Sequence, residues 1–229
     1  MSIDARMVRV VTWSGLAFLL LAPAAILAGE PLAEYDPEMD VVPSTIYIKS
    51  DGTIDPPTAP ISRDGDTYTL TDDVFESVVI QKSGITLDCD GHTVEGTGGG
   101  RGIFMVGLDG VTVTNCTVQN FTVGIRMEGS TDGVFTANTL QDIGRAGIAV
   151  VLGSNRNTVT GNTATDCTWG VVVFRNSADN TLSGNDISYC SGQGILLQDA
   201  GDDNYLADNS LVNNVQAGIW NFRTSHTVL

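Results

Sequence analysis

Four aspartates, Asp179, Asp199, Asp202 and Asp203, make the densest acidic grouping in a chain where Asp greatly outnumbers Glu. Carboxylates gathered around one point supply the oxygen ligands that Ca²⁺ takes at about 2.3–2.6 Å, so a calcium site is one chemistry they could support. The same residues also fall in columns of mostly alternating sign: Asp132, Arg156, Asp179 and Asp203 in one, Arg175, Asp199 and Arg223 in another. Opposite charges on successive rows form salt-bridge ladders, which is the plainer reading. An enzyme acting on polysaccharide would draw on the same columns. A lyase needs an Arg or Lys base beside acidic calcium ligands, and a hydrolase needs two carboxylates roughly 5–10 Å apart. The alternating triplet Asp88, Asp90 and His92 is a lesser candidate. No cofactor is required by these residues, and Ca²⁺ is the one they could accept.

Such columns exist only because the chain repeats. Leu87, Val113, Phe135, Val159, Leu182, Leu206 and Val228 recur at intervals of 26, 22, 24, 23, 24 and 22. Two further ladders keep step with them: Val94, Val118, Leu140, Ala164, Ile187, Leu211, and Ile103, Ile125, Ile148, Val171, Ile195, Ile219, each of the last set preceded by glycine. At a strand rise of about 3.3 Å per residue, a period of about 23 makes three short strands and three turns. The expected fold is therefore all-β: a right-handed parallel β-helix with three strands per coil, over residues 84–229. The six glycines mark corners that need positive φ or close backbone approach. Asn138, Asn162, Asn185 and Asn209 fall three residues after the first ladder, and Asn157, Asn180 and Asn204 two before it, with His226 next in that second column. Coils about 4.8 Å apart let such amides bond up and down a stack.

In the third strand, alternate places point outward. They read Phe104/Val106, Arg126/Glu128, Ala149/Val151, Val172/Phe174, Leu196/Gln198 and Trp220/Phe222, and nine of these twelve are apolar. A strand with one solvated face alternates apolar with polar, so this face is expected to be covered or sticky. The N-terminal segment, a neighbouring domain or another subunit would cover it. Alternatively Phe104, Phe174, Trp220 and Phe222 form a platform on which sugar rings or a partner surface stack.

The segments "NTVTGNTA", "NTLSGNDI" and "NYLADNSL", each followed by a "GI" or "GV" strand, resemble the right-handed parallel β-helix repeats of the NosD-like family. Similar repeats occur in carbohydrate-binding and sugar-hydrolase β-helix domains. The run "ITLDCDGHTVEG" and the residues before it are similar to the opening of secreted microbial members, so the resemblance covers about residues 45–229. It implies the β-helix and, through the family's name, an accessory role in periplasmic copper delivery. For copper, two histidines and a core-directed Met105/Met127 pair offer no surface cluster of soft ligands.

Residues 1–28 read as an export signal, with Arg6 and Arg9 ahead of an apolar stretch and cleavage expected after Ala28. Residues 29–44 read as an acidic, proline-containing linker, and 45–83 as an N-terminal β cap. The expected location is secreted, periplasmic or cell-surface, with membrane contact only through an uncleaved export segment. A net charge of −16 makes nucleic acid a poor partner. Export permits disulfides, and Cys89/Cys116 and Cys167/Cys190 each stack on successive coils; the alternative is that they are free thiols filling interior columns. The last coil stops at Leu229 before its asparagine turn, so the native gene is expected to continue and the present chain to associate end to end.

The function these features favour is non-catalytic binding of polysaccharide or a cell-surface partner through the apolar outer face. A carbohydrate-active enzyme is the alternative, and copper delivery a third.

Overall fold

The computed structural model describes residues 45–224 and 227–228; the export signal, the linker and His226 lie outside them. The first five strands start the sheets that the repeats then extend. β1 (Thr45–Ile48) pairs antiparallel with β2 (Ile54–Asp55) and parallel with β5 (Ser77–Ile80), while β3 (Ile61–Asp64) and β4 (Thr67–Leu70) form an antiparallel hairpin.

A three-residue strand can point only its middle side chain inward, and each first-strand position obeys that rule. β6 (Thr86–Asp88), β9 (Thr112–Thr114), β12 (Val134–Thr136), β14 (Thr158–Thr160), β16 (Thr181–Ser183) and β19 (Tyr205–Ala207) bury Leu87, Val113, Phe135, Val159, Leu182 and Leu206. They stack in parallel and in register behind β4, giving an eight-stranded sheet. The second position holds β7 (Thr93–Glu95), β10 (Thr117–Gln119), β17 (Asp186–Ser188) and β20 (Ser210–Val212). The third holds β8 (Arg101–Val106), β11 (Val123–Glu128), β18 (Gln193–Gln198) and β21 (Ala217–Phe222). In two coils the corner between second and third strands is absorbed, so β13 (Thr139–Val151) and β15 (Thr163–Phe174) run through both. That fuses the second and third faces into one thirteen-stranded sheet, with a register shift between Ile143 and Ala146. The coils make a right-handed solenoid of about six turns, close to 24 residues each.

The interior is apolar rows closed by polar ladders. Met105 and Met127 are buried there with Ile103, Ile125, Ile148 and Ile195 of the third strand, whereas Ile219 in the last coil is exposed. Each full burial of such a side chain contributes about 1.5–3 kcal/mol. Asn138, Asn162, Asn185 and Asn209 form one amide ladder with Nδ2–Oδ1 distances of 3.0, 3.0 and 2.8 Å. Asn157, Asn180 and Asn204 form a second, at 3.1 and 3.0 Å. A serine column unmarked in the sequence does the same at a third corner: the backbone N–H groups of Ser130 and Ser154 each donate to the next Oγ at 3.2 Å. Among the described residues no buried side-chain polar atom lacks a partner.

The glycines before the third strand serve close approach and not positive φ. A Cβ on Gly170 would lie 2.2 Å from Ile187 Cγ2 and 2.7 Å from the Gly194 carbonyl oxygen. Left-handed backbone is carried instead by the charged columns: φ is 55°, 57°, 58° and 58° at Asp132, Arg156, Asp179 and Asp203, and 53°, 46° and 54° at Arg175, Asp199 and Arg223.

Of the two cysteine pairs, Cys89–Cys116 is a disulfide with Cα atoms 4.7 Å apart, closing a separation of 27 residues. Cys167 and Cys190 are free and buried, so a disulfide there is not present. The hydrogen bond between the two thiols, together with burial, pushes the Cys167 thiol up, and the same bond lowers that of Cys190 against the opposing effect of burial.

Candidate functional site

Asp179, Asp199, Asp202 and Asp203 do not converge on a metal-binding group. Asp179 and Asp203 occupy one left-handed corner column and Asp199 another. Asp and Asn tolerate that conformation better than most residues, so their abundance at corners follows from the backbone. Among the described residues no three Asp, Glu, His or Cys side chains gather closely enough to hold a metal ion. The calcium expectation at Asp179, Asp199, Asp202 and Asp203 thus meets no preformed site. The columns do make ion pairs: Arg156 grips Asp132 through two bonds of 2.8 and 2.6 Å, and Arg223 lies 3.9 Å from Asp199. The Arg156 hydrogen bond holds the Asp132 carboxyl below the usual carboxylate range. In the Asp88, Asp90, His92 turn, Asp88 accepts from the Asp90 N–H at 2.9 Å and from Asn115 Nδ2 at 3.0 Å, while His92 pairs with Asp73 at 3.4 Å. That turn is architecture.

The outer face of the third strand separates into a buried middle and open ends. Ala149, Val151, Val172, Phe174 and Leu196 are all buried, Phe174 to 3% exposure. Val106 at one end is 53% exposed and Trp220 at the other 36%, while Phe104 and Phe222 are half-buried.

Three of the four rings named in the sequence, Phe104, Phe174 and Phe222, carry guanidinium groups, a feature the apolar pattern did not reveal. Arg101 lies 4.2 Å from the Phe104 ring centre, Arg175 5.1 Å from that of Phe174 and Arg223 4.9 Å from that of Phe222. Arg145 stacks on Trp169 at 5.6 Å, and Trp169 Nε1 donates to Gln193 Oε1 at 2.7 Å. A cation over an aromatic face within about 6 Å is attracted by the ring quadrupole. Within β11, Arg126 Nε donates to Glu128 Oε1 at 2.5 Å, and Arg101 of the neighbouring coil lies 4.0 Å from the same carboxylate. Burial pulls Arg126 below its ordinary value, and the charges of Arg101 and Arg145 add to this against the opposing pull of Glu128. Of the nine lysines and arginines between Thr45 and Thr224, five lie on or beside the third-position strands: Arg101 and Arg145 towards their starts, Arg126 within β11, and Arg175 and Arg223 just past their ends. The missed signal was local: Arg175 and Arg223 directly follow Phe174 and Phe222 at a strand end.

Such a strip suits carboxylate or sulfate groups on a long ligand, since guanidinium forks bind planar oxyanions through paired hydrogen bonds.

A repeating solenoid with this core is what the comparisons also return. Residues 101–229 match the family described as right handed beta helix region, more than half of the chain, and the chain belongs to that family. The match is to the β-helix family as a whole. No curated protein matches the chain. Among solved structures it is similar to alginate lyase from Paenibacillus sp. str. FPU-7, at 15% identity and a TM-score of 0.44, over 79% of this chain and 76% of that one. A likeness so distant carries no argument about substrate or reaction.

Proposed function

We propose that this chain is a non-catalytic binding module that holds an anionic polysaccharide along the arginine-bearing margins of its third-strand face. The observation that supports this reading is the gathering of Arg101, Arg126, Arg145, Arg175 and Arg223 along one sheet of a protein whose net charge is −16. An acidic surface elsewhere repels a polyanion and leaves this strip as the place where it can settle. Arg145, Arg175 and Arg223 keep part of their surface open to solvent, so ligand can reach them without uncovering the buried middle. The aromatic rings act here by holding guanidiniums in place, a change from the bare sugar platform expected from the sequence.

A second reading is favoured by the open ends of this face, where Val106 is 53% and Trp220 36% exposed. Exposed apolar and aromatic residues close to arginine are also the composition of a protein-docking surface.

Retention on alginate and polygalacturonate resins, against a neutral glucan, separates the readings. Retention is expected on the two uronate resins alone, falling with salt. Charge-assisted hydrogen bonds at about 1.5 kcal/mol each predict a loss of about a hundredfold for the Arg145→Ala, Arg175→Ala double variant. Equal retention on neutral glucan, or full retention by the double variant, overturns the polysaccharide reading. Release of unsaturated products would make the chain an enzyme.

A further inference from the structure

At the end of the solenoid opposite the last coil, a cleft of about 220 Å³ opens beside β1 and β5, with Ile46, Pro60, Asp73, Val74, Phe75 and Glu76 in its wall. Val74 is buried and fastened on both sides: its N–H donates to the Thr93 carbonyl and its carbonyl accepts from the Glu95 N–H, both at 2.8 Å. The next side chain must therefore point away, and Phe75 is 70% exposed. This ring is held outward by a pinned backbone.

The charges in the wall are all of one sign. Glu76 is half-buried, and no described residue hydrogen-bonds or ion-pairs with its carboxylate. Asp73 is committed on one side only, its Oδ1 accepting from the Thr93 N–H at 2.8 Å and facing His92 at 3.4 Å. Two carboxylates and the negative face of an aromatic ring complement a cation, and the apolar wall complements alkyl groups around it. The cleft is smaller than the roughly 300–1,000 Å³ of pockets that enclose drug-sized ligands, which restricts the occupant to a small molecule.

We infer that this cleft binds a small alkylammonium ion of choline's size, with its methyl groups against Phe75 and its charge facing Glu76 and Asp73. The site is independent of the arginine margins and has the opposite sign, so the two proposals stand or fall separately.

The test is an NMR titration of the full chain with choline and with 3,3-dimethyl-1-butanol, its uncharged carbon isostere. Choline is expected to give saturable shifts at Phe75, Glu76 and Val74, weakened by added salt, and the isostere none. An exposed cation–π contact is worth about a two- to fivefold change in affinity, the loss expected for Phe75→Leu. Glu76→Gln should weaken choline by a similar factor and remove most of the salt dependence. Both side chains reach solvent, and a circular dichroism spectrum matching the parent checks that the variants fold. Equal shifts from choline and its isostere, no saturable shift from choline, or unchanged choline affinity in both folded variants would overturn the inference.

Discussion

At the scale of single residues, the buried asparagines are the positions with least freedom. Asn180 donates to the Ser154 carbonyl and to Asn204 Oδ1, both at 3.0 Å, while its own Oδ1 accepts from the backbone and side chain of Asn157 at 2.9 and 3.1 Å. Asn180→Ala strands polar groups on three neighbours, each unsatisfied group costing about 1–3 kcal/mol, so a loss of about 3 kcal/mol is expected in urea denaturation. Asn180→Asp keeps the shape but sets a carboxylate against two acceptors, and only its protonated form can donate. Its folded-state pKa is then raised above the ordinary value of about 3.9. For a raised carboxylate, stability present at low pH is lost as pH rises past the unfolded value. The gap between parent and Asn180→Asp should therefore widen from pH 3.5 to pH 7, and a constant gap would contradict the ladder's role. These asparagines were legible in the sequence because they recur in step with the apolar rows. The serine column was harder to see, since Ser130, Ser154 and Ser177 are only three residues of a type common in any turn.

At the scale of the strand and its corner, two kinds of glycine divide the work. Gly170 has ordinary φ and no room, its added Cβ meeting Ile187 and the Gly194 backbone, whereas Gly184 has φ of 61° and open space around it. Gly170→Ala must push neighbouring coils apart and is expected to cost about 3 kcal/mol or more, the upper part of the overpacking range. Gly184→Ala carries only the left-handed penalty of roughly 1–2 kcal/mol. Thermal unfolding of the two variants checks the order, and a larger loss at Gly184 would refute the steric account. The period located both sets of corners but could not say which corner turned left-handed, because that depends on how each strand exits. Asp and Arg residues that looked like chemistry at those corners, Asp179 and Asp203 above all, are turn residues first.

At the scale of the whole molecule, charge sets the response to solution conditions. A net charge of −16 repels itself, and the screening length shrinks from about 10 Å at 0.1 M salt to about 3 Å at 1 M. The melting temperature is expected to rise by several degrees between 0.05 and 1 M NaCl. EDTA should leave it unchanged at either salt concentration, as no three Asp, Glu, His or Cys side chains of the described residues gather closely enough to hold a metal ion. A fall in melting temperature on chelation would restore the calcium reading of Asp179, Asp199, Asp202 and Asp203, through the stabilisation a bound ligand supplies by mass action.

What the sequence determined by itself was everything that follows from period and alternation. Strand rise and the in-out rule are properties of neighbouring residues, so the ladders from Leu87 and Ile103 led directly to a β-helix, its interior rows and its stacked amides. What the tertiary structure alone decided were relations across corners, where side-chain direction depends on local backbone and not on count. Cys89 stands two residues after its ladder position and Cys116 three after its own, yet they are bonded; Cys167 and Cys190 share one offset and are not. The same holds for the guanidiniums over Phe104, Phe174 and Phe222, and for the outward Phe75 beside a buried Val74. Each depends on where a chain lies after it has turned, and a one-dimensional repeat does not carry that information.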